Sequence, residues 1–388
     1  MIPRDAEHIL REVARGYPAI GITGPRQSGK TTLARHVFAD KPFVSLESPD
    51  VREFAEADPR GFLDRYRDGA VLDEVQRCPD LFSYLQVEVD ARPAPGRFVL
   101  TGSQQFGPMS RISQSLAGRI ARVHLLPFTY HECHSDDASG GSRSLDAVLF
   151  TGLYPPVHDR NLNPRLWYAN YIQTYIERDV RQMVNIHDLS NFQRFIRLCA
   201  GRIGQWLNYS ALASDCGITH NTAKAWISIL EASYIVFQLQ PHHKNFSKRI
   251  IKTPKLYFYD TGLAAWLLGV QTSEQLNTHS LRGALFESFV VSELLKSCFN
   301  RGLPGDLYFW RDRRGHEIDV LRQRGERLQP IEVKSGQTLN RDFFSNLQDW
   351  LDLASGMAID PTLIYGGEEG LTRSGVRVWP WHDPSWVL

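Results

Sequence analysis

The chain has 388 residues, of which 42% are hydrophobic, and its formal net charge at pH 7 is +1. That length suits two or three domains, and the balanced charge excludes a uniformly acidic or basic protein, so any nucleic-acid surface must be a local patch. The five cysteines never form a CxxC pair, which argues against a disulfide framework or a zinc ribbon. Because the N-terminus lacks the apolar core of a signal peptide and no apolar run spans a bilayer, we expect a cytoplasmic protein without a membrane partner.

Residues 1–130 alternate short apolar runs with helical stretches. The candidate strands are residues 19–24, 43–47, 70–74, 97–103 and 122–127. Apolar strands that alternate with helices indicate a parallel sheet covered on both faces. We therefore predict an α/β domain over residues 1–134.

A phosphate-binding motif follows the first predicted strand. The segment from Gly24 to Thr31 satisfies G-x-x-x-x-G-K-[ST] without a gap and opens a predicted helix. The loop N–H groups and the helix N-terminus would surround the phosphates of ATP, Lys30 would reach the β- and γ-phosphates, and Thr31 would hold Mg²⁺. The alternative is a chance Gly-rich turn, which the complete match and its context disfavour. The residues predicted to bind the nucleotide are Gly24, Pro25, Arg26, Gln27, Ser28, Gly29, Lys30, Thr31 and Thr32.

Two carboxylates end the third predicted strand, residues 70–74. Asp73 is placed to join the Mg²⁺ shell, and Glu74 to orient and activate the attacking water. The next core strand ends near Ser103, whose hydroxyl either senses the γ-phosphate or is satisfied by nearby backbone.

Arg119, in the stretch SLAGRI, is a candidate for stabilising transition-state charge. It would act in its own subunit or, in a homo-oligomer, in a neighbouring one. The alternative is a solvated surface charge.

Beyond the polar stretch 135–144, the pattern changes to helices at 167–183 and 192–207. We predict a helical and winged-helix-like domain over residues 145–280.

Within that domain, residues 208–240 have a helix-turn-helix layout, with Gly217 at the turn, Thr219 as the second N-cap and a strand as the wing. No acidic residue occurs from Ala232 to Tyr259, where Lys255 ends a basic cluster. Such a cluster suits phosphate contact, which makes nucleic acid, and in particular DNA, the expected partner. The alternative is a packing module with a solvated basic loop. The predicted contacts are His220, Asn221, Lys224, Lys244, Lys248, Arg249 and Lys252.

A second set of carboxylates lies near the C-terminus. If the strands around EIDV and IEVK pair as a hairpin, Asp319, Glu332 and Lys334 converge, because alternate residues of a strand share a face. Two carboxylates can hold a Mg²⁺-like ion that polarises a phosphodiester, Lys334 can position the water, and Glu287 can complete the site from a helix. The alternative is an exposed hairpin with cross-strand ion pairs.

These motifs together resemble bacterial and archaeal P-loop ATPases of the AAA type with a C-terminal DUF4143 region. The resemblance covers nearly the whole chain and is carried by GPRQSGKTTL, VLDEVQ, LTGSQ, SLAGRI, YIERDV, NYSALASDCGI, KLYFYDTGLAAWLLG, GALFESFV, YFWRD, EIDV and IEVKSG. One departure is TGLYPP at 151–156, where the family more often has Gly-Gly-Tyr-Pro; it affects no catalytic position.

The resemblance implies an α/β protein with the parallel sheet of P-loop NTPases. A winged-helix-like segment follows, and residues 281–388 would form a restriction-endonuclease-like α/β domain similar to the PD-(D/E)xK nucleases. By this resemblance the ATP-site positions are Lys30, Thr31, Asp73 and Glu74, and the nuclease-motif positions are Asp319, Glu332 and Lys334, with Glu287 on the expected helix.

The leading hypothesis is a Mg²⁺-dependent ATPase coupled to a DNA-directed, nuclease-like domain. The alternative is a non-nucleolytic switch, in which ATP reorganises the C-terminal region for a DNA or protein partner and the second carboxylate set is vestigial.

Overall fold

The computed structural model describes residues 2–103, 116–134, 144–175, 189–242, 253–312, 314–354 and 356–387. The chain forms two compact units. Unit 1 comprises Met1–Phe128, Ala232–Tyr234 and Cys298–Pro304, and unit 2 comprises Thr129–Glu231, Ile235–Ser297 and Gly305–Leu388. Among the described residues, no helix has both the length and the apolar character needed to cross a bilayer.

Unit 1 contains a five-stranded parallel sheet in the order β2-β3-β4-β1-β5. The parallel sheet predicted from the alternating pattern is therefore confirmed. Its strands are β1 (Ala19–Thr23), β2 (Phe43–Ser45), β3 (Ala70–Asp73), β4 (Phe98–Gly102) and β5 (Ile120–His124). Its helices are α1 (Ala6–Val13), α2 (Lys30–Val37), α3 (Pro49–Ala57), α4 (Pro59–Arg65) and α5 (Leu81–Ala91).

The central strands β1, β3 and β4 are buried along their whole length. Side chains alternate between two apolar clusters, so Val71 and Val99 pack with Leu33, whereas Leu72 and Leu100 belong to the opposite cluster. Burial on both faces is what uninterrupted apolar strands require in a parallel sheet.

The register of the sheet brings the functional strand ends to one edge. Thr23 lies beside Gly102 and His124, and Ser45 lies beside Asp73. Ligands of open parallel sheets bind at this carboxyl edge. Strand β5 ends at His124, before the predicted end at residue 127, and the next N–H, of Leu125, still bonds to the Thr23 carbonyl oxygen at 2.7 Å.

The helices that follow in the chain lie largely in unit 2. They are α6 (Tyr130–His134), α7 (Leu145–Thr151), α8 (Pro155–Asp159), α9 (Pro164–Tyr175), α10 (Leu189–Ala200), α11 (Tyr209–Cys216), α12 (His220–Ala232), α13 (Thr261–Leu267), α14 (Arg282–Asn300) and α15 (Ser345–Ala354). The helix predicted over 192–207 ends at Ala200, since Gly204 adopts a left-handed φ of 73° and its N–H bonds to the Leu256 carbonyl oxygen at 2.8 Å.

In the described part of unit 2, eight strands form one mixed sheet in the order β12-β13-β11-β10-β9-β8-β6-β7. They are β6 (Val236–Pro241), β7 (Lys255–Phe258), β8 (Leu307–Arg311), β9 (Glu317–Arg324), β10 (Arg327–Lys334), β11 (Thr362–Tyr365), β12 (Leu371–Arg373) and β13 (Val376–Pro380). Strand β6 pairs with β8, Gln240 beside Tyr308. Segments that the sequence assigns to two domains, 145–280 and 281–388, thus share a sheet.

Candidate functional site

The phosphate loop joins β1 to α2, as its motif predicts. Gln27 and Gly29 adopt left-handed φ values of 60° and 92°. A Cβ on Gly24 would lie 2.0 Å from the Leu125 carbonyl oxygen, so only glycine fits there. Lys30 is buried, and its Nζ donates to the carbonyl oxygens of Gly24 at 3.0 Å and Pro25 at 2.6 Å. The ammonium group therefore lies against the loop that would surround the phosphates.

Asp73 lies next to the start of α2. Its Oδ1 accepts hydrogen bonds from Thr31 Oγ1 at 2.8 Å and Thr101 Oγ1 at 2.5 Å. Hydroxyl and carboxylate oxygens are ligands that Mg²⁺ prefers, so Thr31 and Asp73 fit the ion predicted for this place.

Glu74 follows Asp73 in a strained left-handed conformation with φ of 55°. Its Oε2 accepts from Gln76 Nε2 at 2.5 Å and from Ser103 Oγ at 3.3 Å. The polar groups at the ends of β3 and β4 therefore meet at one edge, where Gln76 and Ser103 hold the Glu74 carboxylate in place. The sequence did not single out Gln76.

Arg4 supports the phosphate loop from behind. Its guanidinium donates to the carbonyl oxygens of Ser28 and Leu126, both at 2.8 Å, and lies 4.8 Å from the Phe128 ring centroid. The side chain holds the loop and the segment after β5 together. No motif marks Arg4, which is 24 residues from Ser28 in the chain.

A second unpredicted network lies at the end of β1. Tyr234 OH donates to Thr23 Oγ1 at 2.7 Å, and His124 Nδ1 lies 2.8 Å from Tyr234 OH and 3.0 Å from Thr23 Oγ1. Burial, with a smaller contribution from the charge of Arg122, lowers the pKa of His124 to about 4. Thr23 immediately precedes the phosphate loop, and Tyr234 lies in the turn that joins α12 to β6.

Arg119 lies at the opposite edge of the sheet. Its carbonyl oxygen accepts from the N–H of Ala19, the first residue of β1, and its guanidinium is ion-paired with Asp90. A five-residue strand separates it from the phosphate loop, about 16 Å at ~3.3 Å per residue. The prediction that Arg119 acts in its own subunit is therefore wrong, and a role in a neighbouring subunit stays a prediction.

The predicted C-terminal hairpin is confirmed. Strands β9 and β10 pair antiparallel, with Val320 beside Ile331. Asp319 Oδ2 accepts from the Val333 N–H at 2.9 Å, and Lys334 Nζ lies 2.6 Å from Glu332 Oε2 and 3.7 Å from Asp319 Oδ2. Asp319, Glu332 and Lys334 therefore converge as expected.

Lys255 completes this cluster from β7. Its Nζ lies 3.0 Å from Glu287 Oε1 and 2.5 Å from Glu317 Oε1. Glu287 Oε1 also accepts from Tyr257 OH at 2.5 Å. Sequence reasoning placed Lys255 at the end of a basic cluster suited to phosphate contact, but the residue is only 4% exposed. We call the set Lys255, Glu287, Glu317, Asp319, Glu332 and Lys334 the carboxylate–lysine cluster.

The electrostatics of the cluster are those of buried ion pairs. Burial, reinforced by the charge of Asp319, raises the pKa of Glu332 well above its ordinary value. Burial alone would raise the pKa of Asp319 too, but Lys334 and Lys255 hold it below its ordinary value. Lys255 and Lys334 thus offset part of the negative charge of the cluster.

The role of Glu287 as a further metal ligand stays a prediction. Its carboxylate is engaged by Lys255 and Tyr257. Within the described part of the chain, no three His, Cys, Asp or Glu side chains are arranged to hold a metal ion.

The predicted nucleic-acid contacts are described in part. His220, Asn221 and Lys224 are exposed at the start of α12, where Thr219 Oγ1 accepts from the Thr222 N–H at 3.1 Å as an N-cap. The helix–turn–helix–strand order predicted for this segment is present. The other four predicted contacts lie outside the described residues: Lys244, Lys248, Arg249 and Lys252.

Three family models match the chain. An AAA domain matches residues 16–134, a domain of unknown function, DUF8612, matches 142–274, and another, DUF4143, matches 282–383. Two curated relatives, the uncharacterized proteins Rv2008c of Mycobacterium tuberculosis and Mb2031c of Mycobacterium bovis, are each 32% identical over 380 residues, which cover 97% of this chain and 82% of the relative.

Two solved structures of ATPase-type proteins are similar to parts of this chain. The Walker-type ATPase PABY2304 of Pyrococcus abyssi matches with a TM-score of 0.47 and 15% identity, over 69% of this chain and 96% of that one. AMPPCP-bound DnaA from Aquifex aeolicus matches with a TM-score of 0.32 and 14% identity, over 58% and 85% of the two chains.

Proposed function

The chain belongs to the same family as the mycobacterial proteins Rv2008c and Mb2031c and is an ATPase of the AAA type, and we propose that it hydrolyses ATP with Mg²⁺ to switch nucleic-acid binding by unit 2. The observation that carries the ATPase half is the pair of hydrogen bonds from Thr31 and Thr101 to Asp73, beside the fixed carboxylate of Glu74. The assignment of DNA as the partner rests on the exposed start of α12 and the basic segment that follows β6.

The residues of the phosphate loop suggest a division of labour. Lys30 would leave the carbonyl oxygens of Gly24 and Pro25 for the β- and γ-phosphates, while the loop N–H groups hold the phosphate oxygens. Thr31 and Asp73 would hold Mg²⁺, which when bound neutralises charge on the transferring phosphoryl group. Glu74 would accept a proton from the attacking water, in the orientation that Ser103 and Gln76 fix.

ATP hydrolysis could be coupled to either of two activities of unit 2, DNA cleavage or DNA binding without cleavage. The convergence of Asp319, Glu332 and Lys334 favours a nuclease-like site. The insertion of Lys255 between Glu287 and Glu317 favours a non-nucleolytic switch, because these carboxylates already have a counter-charge. We propose the switch as the function and the nuclease as the second candidate.

Steady-state phosphate release tests the ATPase half. The Lys30→Ala variant should lose about 10²–10³-fold in kcat, the usual effect of removing one group that stabilises transition-state charge. Arg15→Ala, which removes an exposed cation outside the site, is the matched control. Phosphate release that is unchanged in Lys30→Ala would reject the assignment.

Fluorescence anisotropy with labelled duplex DNA tests the nucleic-acid half. We expect binding that weakens with salt and changes between the ATP and ADP states, since phosphate contacts release counterions. Metal-dependent cleavage of plasmid DNA by wild type, lost in Asp319→Ala, would instead select the nuclease.

A further inference from the structure

A cavity of about 660 Å³ opens in unit 2 beside the carboxylate–lysine cluster. It is lined by the segment between α10 and α11, the start of α12, and strands β7, β8 and β9. The aromatic and charged side chains in its lining include Trp206, Tyr209, His220, Lys255, Arg311 and Glu317. Its volume lies in the range of sites that take a nucleotide-sized ligand.

Trp206 supplies a flat aromatic surface in this cavity. The ring is 39% exposed, and the Arg311 guanidinium lies over it, 4.6 Å from the ring centroid. Tyr209 and His220 add a second aromatic pair, with centroids 5.7 Å apart in a T-shaped arrangement. Exposed aromatic rings beside arginine are the features on which single-stranded nucleic acids stack their bases.

The backbone holds this aromatic surface in place. Leu207 N–H bonds to the Pro254 carbonyl oxygen at 2.8 Å, and Leu256 N–H bonds to the Gln205 carbonyl oxygen at 2.9 Å. Trp206 itself bridges antiparallel to Lys255. A backbone fixed in this way loses little conformational freedom when a ligand stacks on the ring that it carries.

Two cations and one carboxylate line the cavity: Lys255, Arg311 and Glu317. Glu317 fixes two cations, with Lys255 Nζ at 2.5 Å from Oε1 and Arg311 NH1 at 2.6 Å from Oε2. His220 is exposed at the N-terminus of α12, a 13-residue helix without an acidic residue in its first turn, which favours anions.

We propose that this cavity binds one unstacked nucleotide of a single-stranded nucleic acid, with its base on Trp206 and its phosphate near Arg311 and the start of α12. The inference rests on the proposed function, to which it adds the form of nucleic acid that unit 2 recognises. A paired base inside duplex DNA has both faces covered by its neighbours and offers no ring face to a tryptophan in a cavity.

Fluorescence anisotropy with a short labelled oligothymidine and a matched labelled duplex tests this proposal on the full chain. We expect wild type to bind the oligothymidine more tightly, and Trp206→Ala to weaken that binding roughly 5- to 150-fold, the range for loss of one stacked base. Trp206→Phe should retain most of the affinity, because it keeps a ring. Arg311→Gln should weaken binding and reduce the salt slope by about one.

Controls separate the outcomes. Leu166→Ala changes an apolar residue that is 68% exposed on α9 and should leave binding unchanged. Oligothymidine binding that is equal in wild type and Trp206→Ala overturns this inference alone if the duplex still binds. Failure of wild type to bind either DNA overturns the proposed function as well. A labelled mononucleotide tests whether the cavity binds a free nucleotide. If the mononucleotide binds the Lys30→Ala variant but not the Lys30→Ala, Trp206→Ala double variant, and oligothymidine does not bind, then the assignment of a single-stranded nucleic acid is wrong.

Discussion

The phosphate-loop site of unit 1 and the carboxylate–lysine cluster of unit 2 both contain acidic side chains, but the partners of these side chains differ. Asp73 accepts hydrogen bonds from the hydroxyl groups of Thr31 and Thr101, whereas Glu287 lies against the ammonium group of Lys255. A hydroxyl-bound carboxylate keeps its charge available for Mg²⁺, while a lysine-bound one already has a counter-charge. Similar residue types thus have hydroxyl partners in one unit and an ammonium partner in the other.

Replacing Glu74 with glutamine should have the largest effect, since it removes the proposed base and keeps the side-chain shape. We expect kcat for phosphate release to fall about 10²–10⁴-fold, the usual contribution of general base catalysis, with ATP binding retained. Steady-state kinetics and a nucleotide-binding titration measure both. Glu53→Gln changes an exposed carboxylate elsewhere in unit 1 and should behave as wild type. Equal kcat values for Glu74→Gln and wild type would remove Glu74 from the mechanism.

Replacing Lys255 with methionine tests whether this lysine neutralises the carboxylates of the cluster in unit 2. The change leaves Glu287 and Glu317 without their shared cation, and breaking a buried ion pair costs about 3–5 kcal/mol of the free energy of unfolding. Urea denaturation measures the loss. Adding Glu287→Gln should recover part of it, because the second change removes a buried charge. A stability of Lys255→Met equal to that of wild type would mean that Lys255 does not neutralise the cluster.

The acid sensitivity of unit 1 should depend on His124. Its pKa is lowered to about 4 by burial, against about 6.5 in the unfolded chain. The neutral ring therefore contributes stability that is present above pH ~6.5 and is lost as pH falls through about 4, about 3 kcal/mol in all. Urea denaturation as a function of pH should show this slope in wild type and a flatter one in His124→Asn. Equal slopes would contradict the burial of a neutral imidazole.

Removing the Tyr234 hydroxyl should have the smallest effect. Tyr234→Phe deletes the hydrogen bonds to Thr23 and His124, so we expect a loss of about 1 kcal/mol in the free energy of unfolding. Tyr17→Phe, at a ring that is 42% exposed, is the matched control. A loss no larger than that of Tyr17→Phe would show that the network at the end of β1 is not stabilising.

Local patterns predicted much of this structure. The phosphate loop, the strand that ends in Asp73 and the β9–β10 hairpin depend on spacing within a few residues, and each is present. Arg4 and Tyr234 were missed because their partners lie 24 and 211 residues away in the chain, and no motif encodes such contacts.

Other predictions failed for physical reasons. Composition cannot distinguish a solvated lysine from one buried between two carboxylates, so Lys255 was grouped with the basic segment. Arg119 directly precedes β5, which runs parallel to β1, so it lies at the edge opposite the phosphate loop.

The central claim is that the phosphate-loop site turns over while the carboxylate–lysine cluster does not cut. One reaction mixture, which contains the full chain, ATP, Mg²⁺ and supercoiled plasmid, tests this claim directly. Phosphate release and plasmid integrity are followed together in it. We expect phosphate to accumulate in wild type but not in Lys30→Ala, while the plasmid stays supercoiled. Phosphate release that does not depend on Lys30, or plasmid cleavage that Asp319→Ala abolishes, would contradict the account.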